Sequence, residues 1–202
     1  MSDVTTLEIP VKNNKPVKIE IPFSKYAHIP VIYIIAKGMK DAGFLENYLE
    51  LGVSKGSCFN VVAPLAKHAF AVDVNKELRR NIEHNKNLFW FRGNSTKFLQ
   101  TTQFKFDMIF IDARHTFKNG MRDFEAAIRT MNPNCLILMH DTYPPTPEFV
   151  SDSYCGNVHR AATYIRKNMI NRFEVLTLPF YYGLTIIRNS LGKQCLFKRE
   201  TT

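Results

Sequence analysis

Apolar residues gather in short, nearly unbroken runs along most of this chain. They occur at NYLEL (47–51), AFAVDV (69–74), LFWFRG (88–93), FDMIFIDA (106–113) and CLILMHD (135–141). Such runs, without strict alternation, mark strands of a parallel sheet whose two faces are both covered by helices. The stretches between them carry helical spacing. Phe117, Met121, Phe124, Ile128 and Met131 fall on one stripe, and Val158, Ala161, Ala162, Ile165 and Met169 repeat the pattern. Residues 75–85 are mostly polar, with Leu78 and Ile82 spaced for one helix face. This alternation predicts a doubly wound α/β fold.

Both ends depart from that rhythm. FEVLTLP (173–179) and YYGLTIIRN (181–189) read as two strands with almost nothing between them. A parallel crossover needs a dozen or more residues, so these two must run antiparallel. The expected sheet therefore has seven strands, mostly parallel, and closes with an antiparallel C-terminal hairpin. At the other end, TLEIPVKNNKPVKIEIP (6–22) reads as a β-hairpin around an Asn-Asn-Lys-Pro turn, followed by a helix over 31–40. The chain thus divides into a hairpin-and-helix extension (1–44) and a main domain (45–202). The hairpin could cover a site, pack on a sheet edge or join two copies as a homodimer.

Composition narrows the class. The 202 residues are 45% hydrophobic, enough for one domain with a sizeable core. No apolar stretch approaches the roughly 20 residues that span a bilayer, and the N-terminus lacks the pattern of a signal peptide. Cys58, Cys135, Cys155 and Cys195 are widely spaced, with no Cys-x-x-Cys pair. A cytoplasmic, reducing location is expected, and the Asn94-Ser95-Thr96 sequon is discounted with it. The formal charge is +9, but the lysines and arginines are scattered, without a block of five or more. That charge keeps nucleic acid among the candidate partners and leaves a plain solvated surface as the other reading.

The ends of the strands hold the chemistry. In an open α/β sheet, ligands sit beyond the carboxyl ends of the strands, where strand order reverses. The first strand of the rhythm ends in Glu50 and runs into Gly52-Val53-Ser54-Lys55-Gly56-Ser57. Glycines there allow positive φ and close approach of backbone to a ligand; a plain strand-to-helix turn would also use them. Asp73 ends the next strand, 21 residues after Gly52. A carboxylate at that distance suits the vicinal hydroxyls of a ribose. The dinucleotide fingerprint needs a central glycine where this chain has Ser54, which counts against NAD. Asn94 and Ser95 follow the third strand, placed either to read an adenine edge or to cap a helix. Asp112 follows the fourth strand with His115 three residues on, and His140-Asp141 end the fifth. A carboxylate and an imidazole at this edge suit proton abstraction or metal binding, and Asp112 and Asp141 on adjacent strand ends could converge on a hard divalent cation such as Mg2+.

Taken together, LELGVSKGS, AVDV, FDMIFIDARHTFKNGMRDFEAAIRTMNPNCLILMHDTYP and GNVHRAATYIR resemble the class I S-adenosylmethionine-dependent methyltransferases. The likeness is to the small O-methyltransferase-like group with a His-Asp pair after the fifth strand, and it covers about residues 45–190. It implies a Rossmann-like methyltransferase fold and S-adenosyl-L-methionine as cofactor. Glu50, Gly52, Ser54, Lys55, Gly56 and Ser57 would line that cofactor, with Asp73 on the ribose, Asn94 and Ser95 by the adenine, and Asp112 near the methionine part. Some metal-dependent relatives carry ligands matching Asp112, His140 or Asp141. The chain departs from the family at Pro133-Asn134-Cys135, where Pro-Gly-Gly is usual, and Asn134 is expected to take over the left-handed turn. Pro64 should kink or end the helix after the glycine loop.

Methyl transfer to a hydroxyl needs a base or a metal to remove the proton. His115 is the first base candidate and Asp141 the second. The Pro-rich loop 142–157 is expected to border the acceptor, with Tyr143 and Tyr154 as walls. The expected acceptor is a small molecule or a sugar. A nucleic-acid methyltransferase and a non-catalytic binding protein on the same fold are the alternatives; no Lys-Asp-Lys-Glu set typical of RNA ribose methylation can be placed.

Overall fold

In the computed structural model, residues 4–9, 17–22, 27–83 and 86–190 are described, the first two segments by backbone alone. β1 (Val4–Ile9) and β2 (Val17–Pro22) form a separate antiparallel pair. The Asn-Asn-Lys-Pro turn expected between them lies outside the described residues, as does Cys195.

The main sheet contains β3 (Asn47–Leu51), β4 (His68–Asp73), β5 (Leu88–Arg92), β6 (Phe106–Ile111), β7 (Met131–His140), β8 (Phe173–Leu178) and β9 (Leu184–Asn189). Their order is β5-β4-β3-β6-β7-β9-β8. β3 to β7 run parallel, and β9 lies antiparallel to both β7 and β8. The seven-stranded sheet with its antiparallel end is thus the one the apolar runs predict. Strand order reverses at β3, which pairs with β4 on one side and β6 on the other.

Alternate residues of each strand enter two cores. Leu49, Leu51, Phe70, Ile109, Ile111, Ile137 and Met139 face α4 (Phe117–Ala127) and α5 (His159–Asn168). Tyr48, Ala71, Phe110 and Leu138 face Ile29, Ile32 and Ala36 of α1 (His28–Asp41) and Phe59 and Val62 of α2 (Phe59–Val62). Each large side chain buried in this way contributes about 1.5–3 kcal/mol.

Several expectations need correction. The helix expected over 31–40 starts one turn earlier, at His28. Pro30 lies in its first turn, where the N–H it lacks would have no partner within the helix. In place of a helix over 75–85 there is a 3-10 turn, Lys76–Asn81, none of whose residues is buried. Leu78 and Ile82 are too little apolar surface to hold a full helix against the sheet. α2 gives way to a 3-10 turn containing Pro64, as a proline there requires. β7 begins at Met131, so Pro133 and Asn134 lie within a strand. Asn134 is not among the residues with positive φ, and no left-handed turn forms there. Tyr181 and Tyr182 are not strand residues: with φ of 43° and 69° they form the turn between β8 and β9.

Candidate active site

The chain leaves β3 through Gly52, whose N–H donates to Val72 O at 2.9 Å, while Asp112 N–H donates to Leu51 O at 2.9 Å. Gly52 has φ +83°, and a Cβ there would sit 2.3 Å from Asp112 O. The switch point is therefore closed to any side chain at this position. Ser54 also takes positive φ, 49°, and Gly56 N–H closes the turn on Val53 O at 2.9 Å. The carboxylate of Asp73 holds the loop: Oδ2 accepts from Val53 N at 3.0 Å and Ser54 N at 3.3 Å, and Oδ1 accepts from Asn75 N at 2.9 Å.

Two cavities open at this edge, and they meet at Gly52, Ser54 and Asp112. One, of about 500 Å³, is lined by Asp73, Leu78, Asn94, Ser95, Asn119 and Asp123 among others. The other, of about 450 Å³, is lined by Glu50, Lys55, Ser57, His115, His140, Asp141 and Tyr154 among others. Of the residues expected to line a cofactor, Gly56 alone borders neither; a Cβ on it would meet Asn81 O at 2.9 Å. Asn94 caps α3 (Ser95–Thr101) by accepting from Lys97 N at 3.0 Å. Ser95 Oγ donates to the buried carboxylate of Asp123 at 2.8 Å.

Glu50 is fully buried, accepts from Tyr48 Oη at 2.5 Å, and is pushed up to about 8 by burial. Its carboxyl lines the second cavity.

Beyond Asp112 lies a chain of carboxylates and imidazoles. His115 Nε2 is 3.5 Å from Asp112 Oδ1, and its Nδ1 is 3.1 Å from Asp141 Oδ2 and 2.8 Å from Tyr154 O. His140 Nδ1 lies 3.3 Å from Asp112 Oδ1 and 3.5 Å from Asp141 Oδ1, and its Nε2–H donates to Tyr181 O at 3.0 Å. Hydrogen bonding to Asp112 raises the pKa of His115 to about 9 against the effect of burial. Burial alone would lower His140, but Asp112 and Asp141 outweigh it and the pKa is raised. Burial acts to raise Asp112, yet His140 and His115 hold it well below the usual carboxylate range. Asp141, more dependent on burial, is raised. In this arrangement His115 holds its second proton near neutrality, and His140 is shifted in the same direction.

The loop 142–157 is pinned to this cluster. Gly156 has φ +55°, and a Cβ there would lie 1.9 Å from His115 O. Asn157 N–H donates to that same oxygen at 3.0 Å, and Asn157 Oδ1 accepts from Phe117 N at 2.5 Å. Tyr154 lines the cavity, whereas Tyr143 does not.

Sequence reasoning missed three contributors. His28 is buried against His140 with ring centroids 4.0 Å apart, and burial, helped by His140, lowers its pKa to about 4. Tyr181 and Tyr182 form the cavity's other wall. The signal for the tyrosines was Tyr-Tyr-Gly between two strands; for His28 it was a histidine two residues before a proline at a helix start.

Residues 49–142 match a family model described as a methyltransferase domain. Solved structures agree on the fold. The S-adenosylhomocysteine-bound Podospora anserina methyltransferase PaMTH1 is 16% identical, with a TM-score of 0.66 and 83% of this chain and 80% of that chain covered. An O-methyltransferase from Bacillus cereus in complex with S-adenosylhomocysteine is 18% identical, with a TM-score of 0.61 and coverage of 80% and 81%. The match to the family model and the shared architecture agree: the chain has the fold of the class I, S-adenosylmethionine-dependent methyltransferases. The N-methyltransferase NodS from Bradyrhizobium japonicum WM9 shares that fold at 13% identity, a TM-score of 0.58 and coverage of 83% and 99%, so the fold alone does not choose the acceptor atom. No curated protein matches the chain. Among the described residues, no helix is long and apolar enough to cross a membrane.

Proposed function

We propose that the chain moves a methyl group from S-adenosylmethionine to a hydroxyl of a small molecule or a sugar. The observation that carries this reading is the meeting of two cavities at Gly52, Ser54 and Asp112, one lined by ribose-type acceptors and the other by acid–base groups.

The donor set fits the cofactor. Asp73 offers carboxylate oxygens beside the glycine loop, suited to vicinal hydroxyls. Glu50, buried at the border of the second cavity, offers an acceptor for an ammonium group. When bound, the cofactor supplies a sulfonium-activated methyl carbon, which sets the reactivity. The chain's own work is alignment and proton handling. Bound across the two cavities at Gly52, Ser54 and Asp112, the cofactor would supply the methyl carbon and its sulfur would leave with the electron pair, while the second cavity would hold the acceptor oxygen in line. The hydroxyl proton goes to a base in the second cavity. Asp141 and His115 are the bases within reach of one another, at 3.1 Å. His115 must first release the proton that Asp112 and Asp141 stabilise; the raised pKa of Asp141 makes it a stronger base than an ordinary carboxylate. Tyr154, Tyr181 and Tyr182 wall the same space and shield it from water.

The cluster also has the donor set of a divalent-cation site. Asp112, His115 and Asp141 place one ligand atom each within 4.8 Å of one another, and Asp112 does the same with His28 and His140. An ion there would supply Lewis acidity to the acceptor hydroxyl. Methylation of nucleic acid rests on the +9 charge alone and would show as RNA binding that weakens steeply with salt.

The test is calorimetric titration with S-adenosylhomocysteine, S-adenosylmethionine and NAD, followed by single-turnover methyl transfer to hydroxylated acceptors with His115→Asn and Asp141→Asn. Binding of the S-adenosyl compounds and loss of transfer in at least one variant are expected. Absence of S-adenosyl binding sinks the reading.

A further inference from the structure

We propose that His28, His140 and Asp112 form a binding site for a borderline first-row transition ion such as Zn2+ or Co2+. The inference concerns the cleft already described but rests on ligand geometry, and it does not depend on methyl transfer.

Three separate elements bring the ligands together. His28 opens α1, His140 ends β7 and Asp112 follows β6. Their ligand atoms all lie within 4.8 Å of one another. The His28 and His140 rings are tilted by 39° with centroids 4.0 Å apart, so both imidazoles reach one small volume. His140 is oriented for the task. Its Nε2–H donates to Tyr181 O at 3.0 Å, which turns Nδ1 toward Asp112 Oδ1 at 3.3 Å. The bond to Tyr181 O fixes the ring orientation, and an ion would take Nδ1 by displacing the proton that it shares with Asp112. Phe110 and Tyr181 flank His28 at 6.2 and 5.3 Å between centroids and supply an apolar shell. All three ligands line the cavity of about 450 Å³, so an ion bound by them keeps positions open to water or an acceptor oxygen.

The ligand types decide the metal. Mg2+ and Ca2+ take oxygen donors, and Mg2+ demands a near-octahedral shell. Two imidazoles and one carboxylate suit Zn2+, Co2+ or Fe2+ instead. This departs from the Asp112, His140 and Asp141 set that the sequence suggests for Mg2+. A second group, Asp112, His115 and Asp141, also lies within 4.8 Å. It shares Asp112 but has only one imidazole, which is set between two carboxylates.

The test uses tag-free full-length protein stripped with a chelator. Co2+ is titrated optically and Zn2+ and Mg2+ by calorimetry, in wild type, His28→Gln, His28→Ala and His115→Gln. One Co2+ per chain is expected. Both His28 variants should weaken it at least about tenfold, His115→Gln far less, and a large excess of Mg2+ should not displace it. Equal affinity in wild type and a folded His28 variant, a loss confined to His115→Gln, or displacement by Mg2+ would overturn the proposal. Circular dichroism of the stripped variants reports folding. Should both His28 variants fail to fold, pulsed EPR of Cu2+-loaded wild type counts the bound imidazoles: two support the site, one or none overturns it. S-adenosylhomocysteine is titrated into the same stripped samples. Binding there without a Co2+ site removes the metal site and leaves methyl transfer standing.

Discussion

The Tyr48 hydroxyl donates to Glu50 across 2.5 Å, with both residues buried within β3. This bond works against the dominant effect of burial, which lifts Glu50 from 4.5 to about 8. The folded chain therefore holds a proton there that the unfolded chain gives up at lower pH. Below about pH 4.5 both states are protonated and the group carries no penalty. Through the window up to about pH 8 the folded state loses stability relative to the unfolded one, and above it the loss is complete. Glu50→Gln removes the titration and keeps an oxygen for Tyr48. Its melting temperature should gain on wild type as the pH rises from 5 to 9, by the equivalent of a few kcal/mol. A difference that stays constant with pH would show that Glu50 does not titrate in this window.

Asp73 anchors the glycine loop through the N–H groups of Val53 and Ser54 and turns its other oxygen to Asn75. Asp73→Ala removes a charged acceptor from the loop and from the proposed ribose subsite together. S-adenosylhomocysteine binding should weaken by about 1–3 kcal/mol, the scale of lost charged hydrogen bonds. Asp73→Asn, which keeps one acceptor oxygen, should lose less. Calorimetry separates the two; affinities equal to wild type in both would remove Asp73 from the subsite.

Much of this arrangement was legible because burial on two faces writes itself as unbroken apolar runs, and the strand ends then follow. Gly52, Asp73, Asp112 and His140-Asp141 all sit at the carboxyl edge for that reason. What stayed hidden depended on chain direction rather than composition. The helix expected from residue 31 begins at His28, with Pro30 in its first turn, and so carries His28 into the cluster. Tyr181 and Tyr182 read as strand because aromatic residues favour strands; the need to reverse direction before β9 puts both at positive φ instead. The polar segment after Asp73 showed a helical spacing that two apolar residues cannot stabilise.

Those two tyrosines change the expectation for the acceptor. Tyr154 lines the second cavity with Tyr181 and Tyr182, and Phe149 lies beside both Tyr154 and Tyr182 at 5.0 and 5.2 Å between centroids. Tyr143 is exposed and outside the lining; its backbone N–H donates to Tyr182 O at 2.7 Å. Tyr154→Ala and Tyr182→Ala should each raise the acceptor KM several-fold, on the scale of about 1 kcal/mol of lost aromatic contact. Tyr143→Ala keeps its backbone bond and should leave KM unchanged. The pattern is read from steady-state kinetics on any acceptor the protein turns over, and an effect of Tyr143→Ala equal to that of Tyr154→Ala would remove the wall assignment.

Gly156 ties the loop to the base. Its φ is +55°, and a Cβ would lie 1.9 Å from the carbonyl oxygen of His115, which also accepts from Asn157 N–H at 3.0 Å. A methyl group cannot fit without moving one of these segments, and a non-glycine residue at this φ costs about 1 kcal/mol or more in its own right. The loop, held by fewer buried contacts than the helix that follows His115, is the part that yields. Gly156→Ala should therefore lower stability by about 1–3 kcal/mol and cut methyl transfer, while S-adenosylhomocysteine affinity at the Asp73 side stays near wild type. Denaturant melts and calorimetry on one preparation give both numbers. Loss of cofactor affinity in proportion to loss of stability would mean that the loop supports the whole edge of the sheet and not the base alone.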